Sequence, residues 1–215
     1  MRIRTFSFFT LNFAPIVPHN FEDIIKRNDL RIISDSANLM FIRHYSVATQ
    51  LLPISKINYQ FRFSSGRALQ FVKTPYAHSG GSIVTFDPKS GILFTSDLFG
   101  SLGLEWELFL KLRPECMDCV NLKQCPQKRT NCPIKEILNF HKTVMPSGKA
   151  LRYSLEQILD IPFTTIAPQH GSIINDKEIM RYVFELLSTL EGVGIDGIVE
   201  DDYVFNSDHL RERFK

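Results

Sequence analysis

No apolar run in the 215 residues approaches the roughly 20 that a helical membrane span requires, so the chain is not expected to enter a bilayer. The opening MRIRTFSFFTLNFAP puts basic residues before an apolar stretch. No small-residue cleavage site follows, however, and Thr10, Asn12 and Pro15 interrupt the run, which argues against a signal peptide. Charge of one sign is also missing: the formal net charge is +2, without a basic stripe, so nucleic acid finds no electrostatic footprint. Tryptophan occurs once, and there is neither an internal repeat nor a low-complexity block. Only four cysteines are present, all between positions 116 and 132. Such clustering is unlike the scattered disulfides of a secreted fold and indicates a reducing, cytoplasmic compartment. These absences leave a small molecule or another protein as the expected partner.

What is present is an ordinary globular composition, 44% hydrophobic and 22% charged, with phenylalanine abundant at 18 residues. The length suffices for one large domain or two small ones. TFSFFTL at 5–11 reads as a buried strand, and a helix is expected near 21–28. LRIIS at 30–34 predicts a second strand, followed by a short helix to about Tyr45 with Ser36 as its cap. INYQFRF at 57–63 and ALQFVKT at 68–74 flank Ser-Ser-Gly, a hairpin signal. GSIVTFD at 81–87 and GILFTSD at 91–97 flank Pro88-Lys89-Ser90, a second hairpin. From about 104 the pattern predicts a short helix, the cysteine segment, a helix around 134–142 and another around 147–159 capped by Ser147. FTTIAP at 163–168 predicts a strand, and Asp176 caps an amphipathic helix to about 191.

Three segments share a pattern in which a strand runs into a loop that opens on a metal-competent side chain. They are Pro75-Tyr76-Ala77-His78-Ser79-Gly80, Leu93-Phe94-Thr95-Ser96-Asp97-Leu98-Phe99-Gly100 and Ile166-Ala167-Pro168-Gln169-His170-Gly171. Ligands at strand ends are held by the sheet, and neighbouring glycines allow close backbone approach. Singly, each is a weak signal, since a lone histidine after a strand is more often structural and an aspartate there is usually a turn former or helix cap. Their joint occurrence in this order points to a metal site.

PYAHSGG, ILFTSDLFGS and IAPQHGSII resemble the Pro-aromatic-x-His, Leu-Phe-x-x-Asp-x-Phe-Gly and Pro-x-His-Gly motifs of the metallo-β-lactamase superfamily, in its flavodiiron and oxygen-binding di-iron branch. The resemblance extends from about residue 5 to about 190 and implies an αββα sandwich missing its first strands, with a domain over 1–192 that carries a Cys-rich insertion at 113–134, and a tail over 193–215. It implies that His78 binds one iron, Asp97 bridges two and His170 binds the second. A carboxylate suits bridging because each oxygen can serve one cation, and imidazole suits iron or zinc. The family's upstream His-x-Asp/Glu-x-Asp cluster falls on Leu11, Phe13 and Pro15, none of which binds metal. Truncation, a shifted reading frame, degeneration or a site completed from elsewhere would each account for this. His19, Glu22 and Asp23 offer nearby substitutes, against which stands the reading of a solvated first helical turn. His44 and His141 are read as structural and His209 as solvent-exposed.

A second constellation is Cys116-x2-Cys119-x5-Cys125-x6-Cys132, with proline directly after Cys125 and Cys132. Four thiolates within 17 residues can close around one zinc or a [4Fe-4S] cluster. The first three resemble the run of auxiliary iron-sulfur domains, and the alternative is four free or disulfide-forming thiols.

The function expected is O2 or NO sensing, or redox chemistry, at a mononuclear or dinuclear iron site. No flavodoxin-like phosphate loop is present, which favours a sensor or orphan domain over a complete reductase. A zinc-dependent hydrolase of the same superfamily, with metal-bound water as nucleophile, is the enzymatic alternative. A degenerate domain that keeps the fold for protein contacts is the third. A homodimer or a signalling or redox partner is expected by resemblance.

Overall fold

The computed structural model describes residues 31–44, 48–103, 106–117, 119 and 131–199. The strand expected at 5–11, the helix near 21–28, the loop Thr10 to Val17, Cys125 and the chain beyond 199 lie outside the described residues.

Among the described residues, the chain runs β1 (Arg31–Ser34), α1 (Ser36–Arg43), β2 (Gln50–Pro53), a 3₁₀ turn (Ile54–Ile57), β3 (Gln60–Arg62), β4 (Ala68–Lys73), β5 (Ile83–Asp87) and β6 (Ile92–Ser96). It continues through α2 (Pro114–Met117), α3 (Pro133–Val144), α4 (Gly148–Glu156), β7 (Thr165–Pro168) and α5 (Lys177–Ser188). β1 and β2 pair in parallel as a small sheet, and β3-β4-β5-β6-β7 form the large one.

Both expected hairpins are present, and their turns explain them. Gly66 takes φ 83° between β3 and β4, and its N–H donates to the Phe63 carbonyl at 3.0 Å. Between β5 and β6 the buried Asp87 carboxylate accepts from Lys89 N at 3.1 Å and Ser90 Oγ at 2.5 Å, and it pairs with Arg67 from the first hairpin. β3 starts later than expected because Asn58 and Tyr59 adopt φ of 51° and 56° at the end of the 3₁₀ turn. The cap of α1 is Asp35 rather than Ser36: its carboxylate accepts from Ala37 N at 2.9 Å. Ser147 and Asp176 cap α4 and α5 as expected, each contributing about 1 kcal/mol. After position 104 the first helix among the described residues is Pro114–Met117.

Alternation along the strands gives the large sheet two apolar faces. Val84, Phe86, Leu93 and Ile166 face a core completed by Ile134 and Leu138 of α3, Leu151 and Leu155 of α4, and Val183 and Leu187 of α5. Leu69, Phe71 and Ile83 on the other face pack with Ile54, and Ile33 of β1 brings the small sheet onto that side. The result is the expected mixed α/β class, with helices on one face of a sheet and a second sheet on the other. Val193 belongs to the larger core, and the Gly194 N–H donates to the Lys142 carbonyl at 2.9 Å. Among the described residues no helix is long and apolar enough to cross a membrane.

Candidate metal centre

Topology brings the three motif residues to one edge. β5 is antiparallel to β4 and to β6, so β4 and β6 point the same way, and β7 is parallel to β6. The C-terminal ends of β4, β6 and β7 therefore share an edge of the sheet. His78, Asp97 and His170 follow those three ends, the usual place for a site on parallel strands. The β6–β7 register shifts between Phe94 and Ser96, just before Asp97, and the Gln169 N–H donates to the Ser96 carbonyl at 2.7 Å.

The Asp97 carboxylate lies between the two imidazoles. Its Oδ2 accepts from His78 Nδ1 at 2.7 Å, and its Oδ1 is 3.4 Å from His170 Nε2. The Asp97 side chain is 8% exposed and each histidine 29%, so the carboxylate is buried and the imidazoles line an opening. Burial alone would raise the Asp97 pKa. Hydrogen bonds to His170 and His78 outweigh it and hold the carboxyl below its ordinary value. His170 is raised, first by its bond to Asp97 and further by Nδ1–H donating to the Ser101 carbonyl at 2.8 Å, against the opposing effect of burial.

Backbone strain concentrates here. Of the six non-glycine residues with positive φ among the described residues, four flank the motif residues or are one of them: Tyr76 (63°), His78 (89°), Ser96 (56°) and Phe99 (69°). Each such conformation costs about 1–3 kcal/mol and persists only where its surroundings enforce it. Around His78 the enforcement is a polar network. Asn38 of α1 donates through Nδ2 to the Gly81 carbonyl at 2.7 Å and to Ser34 Oγ at 3.2 Å, while Ser82 Oγ donates to the Ala77 carbonyl at 2.7 Å. A Cβ on Gly81 would stand 2.3 Å from Asn38 Oδ1, so glycine permits this approach. On the Asp97 side, Thr95 Oγ1 donates to the Leu98 carbonyl at 2.6 Å, and the Phe99 N–H donates to His141 Nε2 at 3.0 Å. His141 is fully buried, its Nδ1–H donates to the Ile137 carbonyl at 2.7 Å, and burial lowers its pKa to about 4. It is a neutral structural imidazole. Next to it, Phe140 meets the His170 ring edge-on, with centroids 4.8 Å apart at 88°. No sequence signal marks Asn38, Phe140 or His141 as neighbours of this site, because each contact spans about 30 or more residues and depends on packing.

The cysteine segment is described in part. Cys116 lies on α2, Cys132 at the start of α3, and the Cys119 carbonyl accepts from Tyr182 Oη at 3.3 Å. Cys116 and Cys132 are free thiols, each half-buried. Among the described residues, no three His, Cys, Asp or Glu side chains surround a common point as a ready-made ion cage. For Asp97 the reason is visible, because its two oxygens face different imidazoles.

A helix-covered sheet stacked on a second sheet, with three loops converging at one strand edge, defines a metallo-β-lactamase-like core. The chain belongs to the ODP family beta lactamase domains, whose family model matches residues 15–171 and so includes His78, Asp97 and His170. The apo chemotaxis sensor ODP from T. denticola is similar in structure, with TM-score 0.64 and 21% identity over 86% of this chain and 70% of that one. A metal-soaked flavodiiron core from Synechocystis gives TM-score 0.62 and 18% identity over 82% of this chain and 41% of that one. In sequence, a diflavin flavoprotein A 3 of Synechocystis is 23% identical over 146 residues, which is 64% of this chain but only 21% of that protein.

Proposed function

We propose that this domain binds iron through His78, Asp97 and His170 and responds to O2 or NO, as a sensor or redox module. The observation that carries the reading is the Asp97 carboxylate held between two imidazoles at a strand-end edge. The N···O separations of 2.7 and 3.4 Å bracket the about 3 Å expected between adjacent ligand atoms that each sit about 2.1 Å from a shared ion. Protons occupy those contacts in the metal-free geometry, and cations would displace them. Two imidazoles and a carboxylate are donor types that suit iron. Iron held by two imidazoles and a carboxylate keeps open coordination positions suited to dioxygen or NO. Asp97 supplies the charge that offsets the cation, the Ser101 carbonyl fixes the His170 tautomer, and the Phe140 edge shields one side of that ring. The chemotaxis sensor ODP, among whose solved forms is a diiron species, and the flavodiiron cores support iron over zinc. One or two irons are consistent with this donor set.

The four-cysteine site for a [4Fe-4S] cluster or zinc rests on the spacing of Cys116, Cys119, Cys125 and Cys132. We place the domain in the cytoplasm, with a redox or signalling protein or a second copy as partner.

Full-length chain purified without air, assayed for iron, zinc and sulfide with visible and Mössbauer spectra, tests these readings. One or two irons lost in His170→Ala support the His/Asp site, and about four further irons with sulfide support the cluster. Zinc alone at about one per chain, retained in His170→Ala, would overturn the iron reading and leave a structural zinc at the cysteines. Zinc lost in His170→Ala, with hydrolytic turnover, would instead establish the hydrolase.

A further inference from the structure

The geometry points to His141 as a positioning residue for the Asp97 carboxylate, acting through the Phe99 amide, with its neighbour Phe140 setting the His170 ring from the same turn of α3. The inference rests on the iron-site reading for its purpose, but its structural content stands on the metal-free chain.

The chain of contacts is short. Nδ1–H of His141 donates to the Ile137 carbonyl one turn back in its own helix, which leaves Nε2 as an acceptor aimed out of the helix. That nitrogen takes the Phe99 N–H at 3.0 Å, across 42 residues. Phe99 is 1% exposed with φ 69°, so without His141 its amide would be buried and unsatisfied in a conformation already disfavoured. The turn leading to Phe99 carries Asp97. Leu98 N–H donates to the Thr95 carbonyl at 3.1 Å and Gly100 N–H to the Asp97 carbonyl at 2.9 Å, so the turn moves as a unit. Relaxing φ at Phe99 therefore swings Asp97 relative to His78.

Phe140 extends the device to the other loop. Its edge contact with His170 means that adjacent side chains of one helix grip both the Asp97 turn and the His170 ring. Gly100 closes the remaining gap, since a Cβ there would stand 2.8 Å from His170 Cε1 and 2.9 Å from the Asp97 carbonyl oxygen. An apolar core residue at 141 would fill the space as well as histidine does, but it would offer Phe99 no acceptor.

The test pairs His141→Gln, whose amide oxygen reaches the Nε2 position, with His141→Asn, which has the same chemistry and falls short. Two readouts are taken on the full chain: the downfield imidazole N–H proton that His78 shares with Asp97, by NMR without metal, and titration with cobalt(II) alone. The expected result is that Asn abolishes the downfield proton and weakens cobalt(II) binding by about tenfold or more, while Gln keeps both near wild type. Retention of both in the Asn variant, or their equal loss in a folded Gln variant, would overturn the proposal. If the Asn variant does not fold, the Gln variant decides: a protected Phe99 amide and an intact downfield proton support the role, and their loss in folded protein refutes it. Failure of wild type to bind cobalt(II) would count against the iron site, and the metal-free NMR comparison would still decide the role of His141.

Discussion

Asp97 reaches His78 through one carboxylate oxygen and His170 through the other, at 2.7 and 3.4 Å. The charge, not the shape, of that side chain makes both contacts favourable. Asp97→Asn keeps the volume and removes the charge, so the raised His170 pKa should fall back toward 6.5 in metal-free protein. Iron affinity should drop by about 100-fold, at or beyond what loss of a supporting partner costs. NMR titration of the His170 ring and metal analysis of the same variant check both, and an unmoved His170 would show that Asp97 is not its partner in solution.

His141 should dominate the acid sensitivity of the metal-free fold. Its pKa is about 4 when folded against 6.5 unfolded, so between those values the unfolded chain binds the extra proton. Stability from this group is complete above pH 6.5 and is lost as pH falls toward about 4, by on the order of 3 kcal/mol. The Asp97–His170 pair acts outside that window. Asp97, with a lowered pKa, loses its contribution only on further acidification below 3.8, and His170, with a raised one, loses its contribution as pH rises above 6.5. Urea midpoints of His141→Gln should accordingly change much less between pH 6.5 and 4 than those of wild type.

Much of the strand framework was legible because its signals are local. Gly66 and Gly91 close turns between alternating runs, and Ser147 and Asp176 cap helices where their side chains meet the first free amides. His78, Asp97 and His170 are legible because each follows a strand run, and the structure brings them to one edge. β2 carries no sequence signal, because Gln50–Pro53 is four residues long, ends in proline and among the described residues pairs only with β1, leaving no alternation to read. Asp35 rather than Ser36 caps α1, because a cap is decided by backbone geometry that both side chains would satisfy. The supports of the site were illegible for a different reason. Asn38, Phe140 and His141 act on loops 43, 30 and 42 residues away, and only packing creates those contacts.

Gly100 has an ordinary backbone conformation, so replacing it tests space alone. In Gly100→Ala the new methyl meets the His170 ring at 2.8 Å and the Asp97 carbonyl oxygen at 2.9 Å, and the turn cannot yield without moving one of them. We expect a loss of about 1–3 kcal/mol in stability, typical of overpacking, together with weakened metal binding. Denaturant unfolding and metal titration of the variant provide the check. Unchanged binding at reduced stability would mean that the turn moves away from the site rather than into it.

Asn38 gives the last prediction, because it separates the two halves of the site. Its amide donates to the Gly81 carbonyl at 2.7 Å, and Ser79 Oγ donates to its Oδ1 at 3.5 Å, so it braces the loop in which His78 is held at φ 89°. Among the described residues its side chain bonds only Ser34, Ser79 and Gly81, none of them on the Asp97 turn or the His170 loop. Asn38→Ala should cost about 1–3 kcal/mol by leaving the carbonyl of the buried Gly81 short of a donor. It should release His78 selectively, so the downfield His78–Asp97 proton is lost while the His170 Nδ1–H bond to the Ser101 carbonyl persists. NMR of the metal-free variant reads both imidazoles in one spectrum, and simultaneous loss of the two would show that the loops are coupled through Asp97 rather than braced independently.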